Sequence, residues 1–586
     1  MRSRSLRAGL GAGLLSLLLV AAGCGDSGED SGSGGGGGGG GKGGSGAAEE
    51  LAQVDCGELE YDADAPSGGT FTDYAYLSDS GTNTSFDPGV VQTLSESQIT
   101  TALFDGLTDF DFSEKCAPEL KPGVADSFEA NDDATEFTFV LKEGIEFSNG
   151  DPVLPSSFKK AWERAGSDEI GSAYGYLVEF IEGGSAVLEG TEEELSGAVA
   201  DDEAMTLTVT LASANADFPA IVTHPFFSPL TDEDLEAFSD ETPGWGTAGA
   251  TIGNGPFQLD SASEDEVVLV PNESWAGNVY GDTEVKLEEL VFKTTIDVEG
   301  AYTAFEGGEG ESAPVPPGKY GSARDKFPNN SIDDPNLGTY FFDIGTESEQ
   351  LGGDENLKLR QAVSLAINRE EINDKVYEGS RTISTGITPP GIPGFEEDLC
   401  EFCSYDPDKA EELFGEWEAE GGSLTEPLRL DFNEGGGHDD VAQIIQQNLE
   451  ANLGVESELA PVAEDYFVQV AEPGGCELCR SGWYADYPTY GNFMLDLFGA
   501  ASIDGNNFGR FDNPEFEKLI ADAGAETDPT ERGKLYADAE RLLLNEEVVA
   551  IPLNWYTGAQ VFRDTALNID QPPLGIMLWE RVAVEG

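Results

Sequence analysis

Histidine occurs only twice in 586 residues, at His224 and His438. That scarcity disfavours a metal site built on imidazole and confines any Ser-His-Asp arrangement to one of two positions. Cations are scarce too: 30 Lys and Arg stand against 113 Asp and Glu, a net charge of −83. Neutralising phosphates takes clustered Lys and Arg, so nucleic acid is argued against as a partner. Docking on an anionic lipid surface by charge alone is argued against for the same reason. Long apolar runs are missing as well, apart from Leu10–Ala22, which is too short for a comfortable bilayer span. Neither a P-loop nor a His-Glu-x-x-His pair occurs, no internal repeat is visible, and no catalytic pair of carboxylates is marked by its context. These absences point away from an enzyme.

What is present is a globular composition. Hydrophobic residues make up 39% and aromatics 10%, enough for real cores, and the length calls for two or three lobes. The acidic surplus reads as a solvated surface whose self-repulsion is large unless salt screens it. A saline habitat is therefore expected.

The N-terminus reads as an export address. MRSRSLR carries Arg2, Arg4 and Arg7, Leu10–Ala22 has the size of a signal h-region, and Ala-Ala-Gly-Cys follows at 21–24. That tetrapeptide resembles a bacterial lipobox, with Ala21 where leucine is usual, which implies lipid attachment at Cys24. Residues 1–23 are then a lipoprotein signal peptide. Residues 24–65 form a tether and entry segment, whose glycine-rich part, 27–50, cannot build a core. The chain is expected to be exported and held at the cell membrane facing outward.

Six further cysteines remain: Cys56, Cys116, Cys400, Cys403, Cys476 and Cys479. An even number in an exported chain suggests disulfides. The expected pattern links the 400/403 pair to the 476/479 pair, with Cys56 joined to Cys116. Bridges inside each Cys-x-x-Cys and a four-cysteine zinc site are the alternatives.

Periodicity supports a mixed α/β chain. Phe137, Phe139 and Leu141 alternate as in a half-buried strand. After the Asn149-Gly150 turn, Ser156 or Ser157 is placed to cap a helix through Phe158–Arg164. Helices are also predicted over 356–369, 441–453 and 528–544, with Val441, Ile444, Ile445 and Leu449 on one face. Gly454 stops the second of these, and a strand follows at 455–459. The loop NEGGGH, 433–438, reads as a solvated turn, while Trp245 and Phe257 suit either core or cleft.

The stretch RSGWYADYPTYGNF, residues 480–493, surrounds Asp486 with aromatic rings. A strand over 481–487, ended by Pro488, would put Trp483, Ala485 and Tyr487 on one face and Tyr484 and Asp486 on the other. A carboxylate in such surroundings is costly alone and strong when paired. A cationic ligand would supply the pair, and ring faces hold cations and varied side chains. The competing reading has Asp486 capping a turn or pairing with Arg480.

Several segments resemble one family, in colinear order over roughly residues 70–560. EFTFVLKEGIEFSNGDPVLPSSFKKAWERA (136–165) is the most specific. SFDPGVVQTLSESQITTALFDGLTDFD (85–111), IGNGPFQL (252–259), AYTAFEGGE (301–309), LRQAVSLAINREEI (359–372), ITPPG (387–391) and YDPDKAEELF (405–414) accompany it, and NPEFEKLIADA through AIPLNW closes the series. These are similar to the bacterial extracellular solute-binding proteins of family 5, the oligopeptide, dipeptide and nickel uptake class. Two departures stand out: Gly345 replaces a common asparagine, and the central motif runs Pro-Thr-Tyr rather than Pro-Asp-Pro.

The resemblance implies a two-lobed α/β fold of the periplasmic-binding-protein type (type II, cluster C) with an extra subdomain in the first lobe. Lobe one would be 66–332, with the subdomain at about 110–240; lobe two 333–545; and 546–586 a return to lobe one. It implies a monomer that closes on a peptide, with Asp486 receiving the ligand's α-ammonium group and Trp483, Tyr484 and Tyr487 lining the site. No cofactor is implied. The partners would be the peptide or another small ligand, the transmembrane subunits of an ABC permease, and the membrane through the N-terminal lipid. Other cargoes (a metal chelate, a sugar, an amine osmolyte) and a sensory or scaffold role on the same fold are the alternatives.

Overall fold

In a computed structural model the chain is described over residues 57–74, 86–91, 93–115, 117–237, 251–263, 265–294, 297–328, 331–332, 334–463 and 465–585. The signal segment, Cys24, most of the tether, Cys56, Cys116 and Trp245 lie outside these residues, and with them the expected Cys56–Cys116 bridge.

Three larger sheets organise the described chain. A seven-stranded mixed sheet runs Ser331–Ile332, Gln560–Phe562, Ser312–Pro314, Thr70–Asp73, Glu289–Lys293, Glu266–Pro271, Phe257–Ala262 in spatial order. A six-stranded sheet runs Thr382–Ile383, Ala550–Thr557, Pro335–Ile344, Leu478–Tyr484, Leu428–Asn433, Ser457–Val462. A four-stranded antiparallel sheet holds Ala125–Ala130, Glu136–Leu141, Thr206–Thr210 and Ala198–Asp201.

The local reasons are plain in the sequence. Glu136–Leu141 alternates, and its Phe137, Phe139 and Leu141 are buried. The helix after the Asn-Gly turn, Pro155–Ala165, begins one residue before Ser156, with Pro155 in its first turn, where no N–H is missed. Ser157 still serves the helix start by accepting from the Leu154 N–H at 3.3 Å, whereas Ser156 bonds Asp202. Trp162 on this helix is fully buried and donates its indole N–H to the Phe227 carbonyl at 2.8 Å. Phe257 is core: it is buried at the head of its strand.

The six-stranded sheet has its own core. Tyr340, Phe342, Leu430, Leu478 and Ile551 pack against Leu359 and Val363 of Leu357–Ala366, and against Val441, Ile445 and Leu449 of His438–Leu453. The second of these helices ends at left-handed Gly454 as expected; the strand after it is Ser457–Val462, two residues later than predicted. The segment predicted as helix over 528–544 is Pro529–Arg541, capped by Asp528 and continued by a π turn at Leu542–Glu547.

The segment predicted as one helix over 356–369 is two. Leu357–Ala366 stops, and Arg369–Val376 starts afresh with Asn368 as its cap. The cause is Arg369, which is buried. Its guanidinium donates to the Ser364, Ile367 and Pro552 carbonyls at 3.0, 3.3 and 2.6 Å and to Ser364 Oγ at 3.1 Å. One side chain thus satisfies helix-end carbonyls and pins the break to the strand Ala550–Thr557. Arg369→Met should lower unfolding free energy by about 3 kcal/mol, because it strands acceptors as well as removing charge-assisted bonds. The readout is the urea midpoint at constant slope. A change below about 0.5 kcal/mol would show that water replaces the guanidinium.

The chain passes between the two large sheets at neighbouring places. Ser331–Ile332 lies in the first sheet and Pro335–Ile344 in the second; Ala550–Thr557 lies in the second and Gln560–Phe562 in the first. Pro335 is in register with Thr557, and the Gly558 N–H donates to the Asp334 carbonyl at 2.9 Å, so the passages run side by side.

The expected cross-link between the two Cys-x-x-Cys pairs is overturned. Cys400 is bonded to Cys403 and Cys476 to Cys479, with Cα separations of 5.5 and 5.3 Å. The pairs sit in different surroundings. Cys476 and Cys479 cluster with Tyr466, Val470 and Phe508 at the head of strand Leu478–Tyr484. The other pair flanks Phe402, whose carbonyl accepts from Ser364 Oγ. Disulfide sulfurs are not thiolates, so these four do not form a zinc set. Gly345 has a reason in this neighbourhood: a Cβ there would lie 2.1 Å from the Cys476 carbonyl oxygen. The asparagine common at this position does not fit against that turn.

Candidate functional site

Strand Leu478–Tyr484 is central in its sheet, paired along Gly338–Ile344 on one side and with Leu430–Asp431 on the other. It ends at Tyr484, not at 487 as the sequence reading had it. The backbone continues to one more bond, from Ala485 N–H to the Leu337 carbonyl at 2.7 Å, and then leaves the sheet. Ala485 and Tyr487 enter the larger core, which also contains the four-stranded sheet, and Trp483 packs against it. Asp486 sits at this exit, where alternation no longer applies.

One side chain organises the exit. Asn492, buried in the first turn of helix Gly491–Phe498, uses its whole amide. Its Oδ1 accepts from the Trp483 indole N–H at 2.9 Å and from the Asp486 backbone N–H at 3.0 Å. Its Nδ2 donates to Asp486 Oδ2 at 3.2 Å and to Asp496 Oδ2 at 2.8 Å. Trp483, Asp486 and Asp496 are thereby held in one frame.

The other oxygen of Asp486 faces residues from far away in the chain. Tyr174 donates its hydroxyl to Oδ1 at 3.3 Å, and His224 Nε2 lies 3.6 Å from the same atom. The Tyr174 ring lies 4.5 Å from the His224 ring and 6.4 Å from that of Trp483. His224 Nδ1 accepts from the Phe226 N–H at 3.1 Å, which leaves the neutral ring's proton on Nε2, pointing at the carboxylate. The Asp486 side chain keeps 16% of its exposure and, among the described residues, has no Lys or Arg within ion-pair distance. Arg480 is not its partner: its guanidinium lies over the Tyr340 and Phe467 rings, at 5.1 and 5.9 Å.

The carboxyl of Asp496 is fully buried. Tyr487 donates to its Oδ2 at 2.5 Å, while Oδ1 has no hydrogen-bond partner. Burial above all, then the charge on Asp486, pushes its pKa up to about 8.

Tyr484 belongs to a separate group. Its ring lies 4.6 Å from that of Tyr556, tilted by 35°, and the Arg381 guanidinium lies 4.6 Å from Tyr556 and 4.8 Å from Tyr377. Arg381 Nη1 is buried without a hydrogen-bond partner, and among the described residues Arg381 forms no ion pair. Close by, the turn 433–438 exposes Gly435 and Gly436 as expected of a solvated loop. His438 departs from that reading: it is buried, its Nδ1 2.9 Å from the Tyr340 hydroxyl, and burial holds its pKa well below the usual imidazole value.

The structure therefore brings Asp486 and Trp483 together, places Tyr487 behind them against Asp496, and puts Tyr484 with Arg381. Tyr174, Asn492, Asp496 and Arg381 were not singled out from the sequence, and His224 was weighed only as a member of a catalytic triad. Only the Asn492–Asp496 spacing, i and i+4 on one helix, was a local signal.

The family model for bacterial extracellular solute-binding proteins, family 5, middle region, matches residues 119–505. The chain belongs to this family. Among curated relatives of this family 5 protein, the dipeptide-binding protein DppE of Bacillus subtilis is 27% identical over 85% of this chain and 90% of its own. The periplasmic oligopeptide-binding protein OppA of Escherichia coli is 25% identical, over 88% and 94%. In fold, the family 5 chain matches OppA of Burkholderia pseudomallei with a TM-score of 0.73, at 21% identity over 89% of this chain and 99% of the other. It matches Haemophilus influenzae OppA, solved with the peptide RPPGFSPFR, with a TM-score of 0.72, at 22% identity over 90% and 100%. No described helix of the family 5 chain is long and apolar enough to cross a membrane.

Proposed function

We propose that this protein captures peptides by their free α-ammonium group at Asp486 and delivers them to the permease of an ABC importer. The observation that carries this reading is the carboxylate itself. It is mostly shielded, oriented by Asn492 and faced by Tyr174 and His224, with no guanidinium or ammonium beside it among the described residues. A primary ammonium brings three donors and the missing charge. Relatives named for dipeptides and oligopeptides support the cargo class. Arg381, between tyrosine rings and without a carboxylate partner among the described residues, gives the neighbouring wall a positive charge for an acidic group on the ligand.

Closure fits the same scheme. The first lobe is 66–332, with its subdomain at about 110–240, and the second begins at 333. The sequence reading puts the return at 546; the membership of Ala550–Thr557 in the six-stranded sheet supports a later crossing, at 558–559. Rotation about the two adjacent passages would open and close the cleft. Lipid on Cys24 and the glycine-rich tether would keep the protein, as a monomer, near its permease on the outer side of the membrane.

The test is a titration of the full chain with a short peptide and with its N-acetylated form. Acetylation should weaken binding by about fiftyfold or more, as expected for losing a charge-assisted pair. Equal affinities would overturn the reading.

A further inference from the structure

We propose that Asp496 makes capture proton-coupled: an ammonium group arriving at Asp486 expels a proton from the Asp496 carboxyl. This rests on Asp486 being the ammonium site.

The geometry is a pair of carboxyls served by one amide. The Nδ2 group of Asn492 donates to Oδ2 of both, at 3.2 Å to Asp486 and 2.8 Å to Asp496. Asp496 is wholly buried, its Oδ1 has no partner, and it forms no ion pair among the described residues. Two acids so close cannot both ionise cheaply in a water-poor setting. Asp486 has Tyr174, His224 and partial solvent to stabilise its charge; Asp496 has only the Tyr487 hydroxyl and the shared amide. The proton therefore resides on Asp496.

The other groups around Asp496 do not change that balance. Tyr174, Tyr176, Tyr487 and Tyr536 lie near enough to sense its charge, and burial pushes each hydroxyl well above its usual value, so all stay neutral. Asp217 also faces it, but its charge is answered by Arg532 at 3.2 Å. His224 reaches the site through Asp486, with its Nδ1 occupied as an acceptor. Without ligand the pocket thus holds one unanswered negative charge. Burial and Asp486 hold the Asp496 pKa near 8. An ammonium on Asp486 cancels the charge that raises it and adds attraction for a second anion. The step balances as Asp496–COOH plus R–NH3+ giving Asp496–COO− with bound R–NH3+ and one H+ released to solvent.

The experiment is calorimetric titration of the full chain with a trialanine peptide in buffers of different ionisation enthalpy, on wild type and Asp496→Asn. The peptide's own amine titrates identically in both, so the difference in protons released reports Asp496. Wild type should release a sizeable fraction of one proton more than the variant near pH 7. The wild-type advantage in affinity should grow from about onefold near pH 6 to about tenfold near pH 8. Equal proton counts and a flat affinity ratio would overturn the coupling. Should Asp496→Asn not fold, Tyr487→Phe carries the test. It keeps the carboxyl but removes a bond that favours its charge, so the pH midpoint of binding should move up; a midpoint that stays put overturns the proposal. Asp486→Asn separates the two ideas: unchanged peptide affinity there means the ammonium site is elsewhere, whereas lost affinity beside an unaltered Asp496→Asn leaves the site standing without proton coupling.

Discussion

Replacing Asp486 with alanine should weaken capture of a peptide with a free amino terminus by about a hundredfold or more. The substitution removes the acceptor from a shielded, preorganised site while leaving the Asn492 amide, the Tyr174 hydroxyl and His224 in place. For an N-acetylated peptide the same substitution should change little, because that ligand never formed the pair. The difference of differences isolates the ion pair from general damage to the pocket. Equal losses for both ligands would mean that Asp486 acts through structure rather than through the ammonium. Circular dichroism and melting of the variant should match the wild type, since the side chain is not wholly buried and its backbone N–H bond to Asn492 survives.

The second large effect concerns stability against salt and pH. With 113 acids and 30 Lys and Arg, most negative charge has no partner. The ion pairs that do form are mostly exposed, and such pairs contribute at most about 1 kcal/mol each. Raising NaCl from about 0.05 M to about 2 M shortens the screening length several-fold. The melting midpoint should then rise by on the order of 10 °C, and a midpoint that falls with salt would remove the case for a saline habitat. A separate slope comes from buried acids. Burial pushes Asp73 and Asp234 up to about 6 and Asp496 up to about 8. Unfolded, these carboxyls ionise near pH 4. Between those values the native state holds more protons than the unfolded one, so stability falls as pH rises. The contribution is fully present below about pH 4 and gone above about pH 8. Asp282 and Glu371 are held low, by Arg581 and Lys375, and act in the opposite sense only at the acid end. High salt should remove the repulsion and leave the buried-acid slope. Thermal melts over pH at two salt concentrations would resolve the two, and a flat profile at high salt would contradict the buried-acid assignment.

Legibility from sequence followed the range of the interactions. Glu136–Leu141 and the buried face of His438–Leu453 were readable because alternation and helical spacing are local properties of the chain. The break at Ile367–Asn368 was not, because Arg369 is drawn to the Pro552 carbonyl, 183 residues on. The end of strand Leu478–Tyr484 was misplaced for a similar reason: its registered pairing with Pro335–Ile344 runs out at Gly338, which Pro488 says nothing about. At the site, the ring-flanked Asp486 stood out by composition. Its neighbour Tyr174 lies 312 residues earlier, beyond any pattern in one sequence. The disulfide pairing failed because an even number of cysteines does not tell which of them the fold brings side by side.

The two side-by-side passages between the sheets have a mechanical consequence. With the Gly558 N–H bonded to the Asp334 carbonyl, the passages lie side by side, and on the proposed closure the two lobes would pivot about them as one seam. A covalent staple between residues 334 and 558 should therefore leave exchange of ligand unimpeded. One joining residue 174 to residue 483, from the proposed first lobe to the second, should block that exchange.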